Sequence, residues 1–152
     1  MTSKSKIIRV LIVSDCPIIQ IGLKDLVNSK KSKMKVVKIF NNYQEMLSKL
    51  HGLSPDVILL DLDLDIDAGS STITQIQEAS TAKVLVLTGL DDASLLEKIE
   101  HVATMAEIID KRNPSWTIIE AIKNSYRNKS TLPYTAIAGS YRRADSSSKC
   151  NS

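Results

Sequence analysis

Pro55-Asp56-Val57-Ile58-Leu59-Leu60-Asp61 decides the fold of this chain. Val57 to Leu60 are apolar without interruption, bracketed by Pro55-Asp56 before them and an aspartate after. An apolar run that does not alternate suits a strand covered on both faces, as in a parallel sheet. Asp61 is then a carboxylate at the carboxyl end of a buried strand.

Comparable runs lie on either side: Ile7–Val13, Val36–Phe40, Val84–Leu87 and, most weakly, Glu107–Ile109. Helix-period segments separate them. Pro17 suits a first helical turn, and Ile18, Ile19, Leu23, Leu26 and Val27 form an apolar stripe behind it. Asn42 with Glu45 three residues later marks a second helix start, with Met46, Leu47 and Leu50 on its buried side. Ile73 and Ile76 give a short third helix. Leu95, Leu96, Ile99, Val102 and Ala103 give a fourth. Ile118, Ile119, Ile122 and Tyr126 give a fifth, opened by Pro114 and Ser115. Strand and helix alternate five times, which predicts an α/β fold: a doubly wound parallel sheet with right-handed crossovers.

After Arg127 the periodicity ends. Residues 7–128 therefore read as one domain and residues 129–152, with Pro133, Gly139 and the polar run Ser146–Lys149, as a linker-like or disordered tail. A length of 152 residues fits one domain. With 43% hydrophobic and 24% charged residues the composition is that of a soluble globular protein, and 4% aromatics leave the core to Ile, Leu and Val. A formal charge of +3 is too small to argue for nucleic acid. Lys30, Lys31, Lys33, Lys35 and Lys38 cluster without interleaved aromatics and read as a solvated loop. Cys16 and Cys150 are far apart and no Cys/His cluster exists, which argues against zinc and against a disulfide framework. No signal peptide and no membrane-length apolar run is recognisable, so the expected location is the cytoplasm.

In doubly wound sheets ligands sit beyond the carboxyl ends of the strands, near the switch point. The residues there are Ser14 and Asp15, Asp61, Thr88 and Lys111. Singly, each has a plainer reading, as a turn former, a strand end or a solvated lysine. Together they form a coherent set. Clustered carboxylates need a cation, an all-oxygen site suits Mg²⁺, and an aspartate can act as a nucleophile toward phosphorus. Phosphoryl transfer asks mainly for positioning and charge neutralisation, which a lysine and a hydroxyl supply.

Ile8-Arg9-Val10-Leu11-Ile12-Val13-Ser14-Asp15-Cys16-Pro17 with Gly22-Leu23, the Pro55–Leu64 segment, Lys83–Gly89 and Lys111–Ile122 resemble, in order, four segments of response-regulator receiver domains (CheY-like). Within that family they are most similar to the NarL/LuxR-type subfamily. The resemblance covers about residues 7–128. It implies a five-stranded sheet of order 2-1-3-4-5 with five helices. It further implies a two-component signal-transduction switch rather than a metabolic enzyme. Asp61 would be the phosphoryl acceptor, supplied by a sensor histidine kinase or phosphotransfer protein. Asp15, Asp61 and the backbone carbonyl of Asp63 would hold Mg²⁺, while Thr88 and Lys111 would contact the phosphoryl oxygens.

The chain departs from the family pattern at several points. Ser14 stands where a second acid is usual, so weaker Mg²⁺ binding is expected. Asp65-Ile66 replaces the usual Pro-Gly, although Gly69 remains. Asp63, Asp65 and Asp67 are read as a solvated acidic loop. Ile108 stands where many members carry an aromatic, which removes gating by a ring. Leu132-Pro133 resembles a linker start, but no helix-turn-helix follows, so DNA binding by this chain is not expected. The alternative reading is a pseudo-receiver, a phosphorylation-independent binding or dimerisation module. A homodimer is expected if the apolar residues of the fourth and fifth helices exceed what the sheet covers. A nucleotide- or flavin-binding enzyme is the third class. Ser14-Asp15-Cys16-Pro17 is a poor phosphate cradle for it, and Ser70-Ser71-Thr72 only suits a helix cap.

Overall fold

The computed structural model describes residues 6–64, 67–89 and 96–127, without the side chains of Leu64, Leu96 and Ile99. The elements follow in the order β1 (Ile8–Val13), α1 (Pro17–Val27), β2 (Met34–Phe40), α2 (Tyr43–Lys49), β3 (Val57–Asp61), α3 (Gly69–Ala79), β4 (Lys83–Thr88), α4 (Leu96–Ala103), β5 (Glu107–Asp110) and α5 (Ser115–Arg127). The five strands form one sheet of order β2-β1-β3-β4-β5, and every neighbouring pair is parallel. The expected architecture is therefore observed.

The strand at the centre is β3, and all five of its residues are buried. It pairs with β1 from Val10↔Val57 to Val13↔Leu60, and with β4 from Val57↔Lys83 to Asp61↔Leu87. Its unbroken apolar run is explained by what covers it. Ile58 and Leu60 face a layer with Met46, Leu50, Ile73, Ile76 and Val102. Val57 and Leu59 face the opposite layer with Leu23, Val27, Ile118 and Ile122. Each fully buried aliphatic side chain contributes about 1.5–3 kcal/mol relative to exposure, so both faces are needed to secure the strand.

Local chemistry sets the helix starts. Pro17 occupies the first turn of α1. Asn42 caps α2, its Oδ1 accepting from Glu45 N at 2.8 Å, as the sequence predicts. Behind α3, the backbone at Gly69 comes so close to Leu62 that an added Cβ would lie 2.5 Å from the leucine Cδ1; a side chain there would have to displace a fully buried residue.

Some expectations do not match. Ser70-Ser71-Thr72 do not cap α3: Ala68 holds the cap position without a side-chain bond, and Thr72 is buried inside the helix. Ile18 belongs to no buried stripe. It is 79% exposed, with Ile21 at 62%, because the helix turns only Leu23 and Val27 fully inward. In α4 and α5, Val102, Ala103, Ile118 and Ile122 are all buried. The large exposed apolar side chains among the described residues are Ile7, Ile18, Ile21 and, on α5 itself, Trp116. Leu95, Asp65-Ile66 and residues 128–152, tail and linker start included, lie outside the described residues. Among the described residues, no helix is long and apolar enough to cross a membrane.

Candidate functional site

Because all strands run in parallel, their carboxyl ends share one edge of the sheet. Ser14 follows β1, Asp61 ends β3, Thr88 ends β4 and Lys111 follows β5. A single crossover change, between β1 and β3, puts the first two side by side. Ser14 and Thr88 are fully buried and Asp61 is 3% exposed.

Both oxygens of the Asp61 carboxylate accept hydrogen bonds. Its Oδ1 accepts from Lys111 Nζ at 2.7 Å and from the backbone N–H of Asp63 at 3.1 Å. Its Oδ2 accepts from Ser14 Oγ at 2.8 Å. These bonds answer the cost of burying a charge, which is high unless the group is paired and hydrogen-bonded. The Asp61 main chain is held as well, its carbonyl accepting from the Tyr43 hydroxyl at 2.7 Å. Gln20 braces the loop after β1, donating to the Ser14 carbonyl and to Asn41 Oδ1 at 2.7 Å.

A second carboxylate lies in the same network. The turn Leu62–Leu64 is a 3-10 turn, and it brings Asp63 back over the strand ends. Asp63 Oδ1 accepts from Thr88 Oγ1 at 2.8 Å, and its Oδ2 from Gly89 N at 2.8 Å and Lys111 Nζ at 2.9 Å. A Cβ on Gly89 would lie 3.4 Å from Asp63 Oδ2 and 3.7 Å from Lys111 Cδ, in van der Waals contact with both. Sequence reasoning gave Asp63 only a backbone role and its side chain to solvent. No local pattern indicates that the turn curls inward, so the contact was not legible. Asp67 of the same loop pairs with Lys98. Tyr43 and Gln20 were missed too, one hidden in a helix stripe and the other on a helix surface.

Lys111 joins the two acids. Burial by itself would lower its ammonium, but the hydrogen bonds and charges of Asp61 and Asp63 outweigh burial and hold it above the usual lysine value. It therefore remains a cation. The turn carrying it is clasped by Asp110, whose carboxylate accepts from Arg112 N at 2.8 Å and pairs with the Arg112 guanidinium at 2.5 Å. Burial would raise the Asp110 carboxyl, yet those bonds and the Arg112 charge leave it below the usual value.

Asp15 is exposed and its side chain is not part of this network. Among the described residues, no three His, Cys, Asp or Glu side chains form a metal-holding group. The strand ends nevertheless offer hard oxygen donors from Asp15, Asp61 and the Asp63 carbonyl, the kind that suits Mg²⁺ with several retained waters. Ser14, in place of an acid, adds a hydroxyl and no charge. Ile108 is buried under the α3–α4 face with no polar atom on its side chain.

An open parallel sheet with a buried aspartate, a lysine and a hydroxyl at adjoining strand ends defines a receiver-type α/β protein. The chain belongs to the response regulator receiver domain family, whose model matches residues 10–123. It is a receiver domain of the two-component response-regulator kind, a signalling class whose members work with histidine kinases or phosphotransfer proteins and typically bind Mg²⁺. It is similar to a nitrate/nitrite response regulator homologue of Haemophilus influenzae, at 28% identity over 86% of this chain and 53% of that protein. It is also similar to the response regulator VraR of Staphylococcus aureus, at 31% identity over 82% of this chain and 59% of that protein. Its fold is like the response regulator domain of Thermotoga maritima CheB, with TM-score 0.67 and 26% identity, covering 81% of this chain and 98% of that one. The chain thus spans less than two thirds of the length of either curated relative.

Proposed function

We propose that this chain accepts a phosphoryl group on Asp61 from a histidine kinase or phosphotransfer protein and thereby switches a protein-interaction surface. The observation that carries the reading is the pairing of the buried Asp61 Oδ1 with Lys111 Nζ at 2.7 Å, with Thr88 and Gly89 N gathered beside it on one shared carboxylate. In the transfer, an Asp61 oxygen forms a bond to phosphorus as the bond from phosphorus to the donor's histidine nitrogen breaks. That nitrogen leaves with the electron pair and takes up a proton. Lys111 compensates the charge carried onto Asp61, and Thr88 Oγ1 and Gly89 N donate to the new oxygens. This is electrostatic preorganisation of the kind phosphoryl transfer depends on.

Mg²⁺ would be held by Asp15, Asp61 and the Asp63 carbonyl, more weakly than with a second acid at position 14, and would supply charge neutralisation. The receiver would occupy residues 7–128 of a cytoplasmic protein of NarL/LuxR type, with 129–152 as a tail. It would act as a switch and not as an enzyme, without binding DNA or membrane through this chain. Exposed Ile18, Ile21 and Trp116 favour a protein contact, including a homodimer.

A second reading, a phosphorylation-independent module, is favoured by Ser14 and by the side chain of Asp63 lying on Thr88 and Lys111. Incubation with Mg²⁺ and acetyl phosphate, followed by intact mass, separates the two. The expected result is one phosphoryl adduct that Asp61→Asn abolishes; an unmodified wild-type chain would favour the second reading.

A further inference from the structure

We infer that the Asp63 carboxylate is a built-in occupant of the phosphoryl cradle, which must swing out before Asp61 can carry its phosphoryl group. The inference rests on the phospho-acceptor reading and deepens it to the regulation of that site. Three donors point into the space beside Asp61: Thr88 Oγ1, Gly89 N and Lys111 Nζ. All three are already engaged by one residue, at 2.8, 2.8 and 2.9 Å from Asp63 Oδ1 and Oδ2. Two oxygens on one carbon, bearing one negative charge, take the donors that oxygens of a phosphoryl group on Asp61 would need.

The placement is held from several sides. Asp63 N donates to Asp61 Oδ1 at 3.1 Å, tying the backbone of the occupant to the acceptor itself. Leu62, the residue between them, is fully buried under Gly69 and anchors the turn. Asp63 has an exit, however, because its side chain is 25% exposed against 3% for Asp61. Rotation of that side chain toward solvent frees the three donors without moving the Asp63 carbonyl.

Occupant and phosphoryl group compete for the same donors, so the rate of modification scales with the fraction of chains whose cradle is open. A carboxylate with three charge-assisted bonds leaves an open fraction of about one tenth or less, and clearing it raises the labelling rate by about tenfold or more. The same contact holds the Thr88 hydroxyl turned toward the site before any phosphoryl group arrives.

The test compares wild type, Asp63→Ala and Asp63→Asn, each folded as judged by circular dichroism, in Mg²⁺ with acetyl phosphate, following the adduct by intact mass over time. Asp63→Ala, which empties the cradle, is expected to label fastest. Asp63→Asn, which keeps the shape but loses the charge pairing with Lys111, is expected between it and wild type. Equal rates in all three, or slower labelling of Asp63→Ala, overturn the inference and leave the acceptor reading standing. No adduct in any of the three overturns both. An adduct in the Asp63 variants that survives Asp61→Asn also removes both, since the acceptor would then lie elsewhere.

Discussion

Ser14 Oγ donates to Asp61 Oδ2 at 2.8 Å, from a side chain with no solvent exposure. A neutral hydroxyl thus satisfies one oxygen of the buried carboxylate. Removing it leaves a buried carboxylate oxygen without a donor. Ser14→Ala is expected to lower stability by about 1.5–3 kcal/mol, the range for a hydrogen bond to a charged group, measured by urea unfolding. Ser14→Asp restores the second acid. It is expected to bind Mg²⁺ more tightly by calorimetry and, with EDTA present, to be less stable than wild type through like-charge repulsion. Equal stability of Ser14→Asp with and without Mg²⁺ would contradict this account.

Lys111 serves two acids at once, at 2.7 and 2.9 Å. Lys111→Ala strands the buried Asp61 beside Asp63 and is expected to cost about 3 kcal/mol, as when one partner of a buried pair is removed. Asp61→Asn in the Lys111→Ala background should restore part of that loss. The thermodynamic cycle of the two single variants and the double variant measures it, and strict additivity would show that the pair is not coupled.

The Asp110 carboxyl is held below its ordinary value of 3.8 by Arg112 despite burial. A lowered native value means that the unfolded chain binds the proton first. The stabilising contribution is complete above about 3.8 and is lost as pH falls through the native value. Arg112→Gln is therefore expected to narrow the stability gap to wild type as the solution is acidified below that point. Because Arg112 is 54% exposed, the difference at neutral pH should stay within about 1 kcal/mol. Thermal melts from pH 7 to pH 3 follow it.

Asn42 tests whether the cap of α2 can be removed without disturbing the acidic site. Its side chain satisfies Glu45 N, and Asn42→Ala is expected to cost about 1 kcal/mol while leaving acetyl phosphate labelling unchanged. A large fall in labelling would mean that α2 is coupled to the acceptor, through Tyr43 and its bond to the Asp61 carbonyl.

The sheet was legible because its strands are apolar on both faces, so Val57–Leu60 and Val84–Leu87 stand out without any alternation. The strand-end residues Ser14, Asp61, Thr88 and Lys111 followed from topology alone, since parallel strands finish on one edge. What escaped was every contact made by a side chain that bends back. Asp63 reads as a surface acid until the turn Leu62–Leu64 is seen to curl, and the curl depends on Leu62 finding its pocket under Gly69. On α1 the apolar stripe in the sequence is wider than the face that packs inward, for a related reason. Periodicity marks apolar residues, but only packing tells which of Ile18 and Leu23 reaches the core.

The bond between Lys111 and Asp61 spans fifty positions of chain, and its closure needs β4 and β5 in place. During synthesis the strand that carries Asp61 emerges well before Lys111 does, and long-range parallel pairings of this kind form late and slowly. A nascent chain therefore presents Asp61 as an ordinary carboxylate, without the lysine that would prepare it. The Lys111–Asp61 pair closes only when the last strand docks. A chain that stops short of β5 keeps the strand-end aspartates but lacks the cation that joins them.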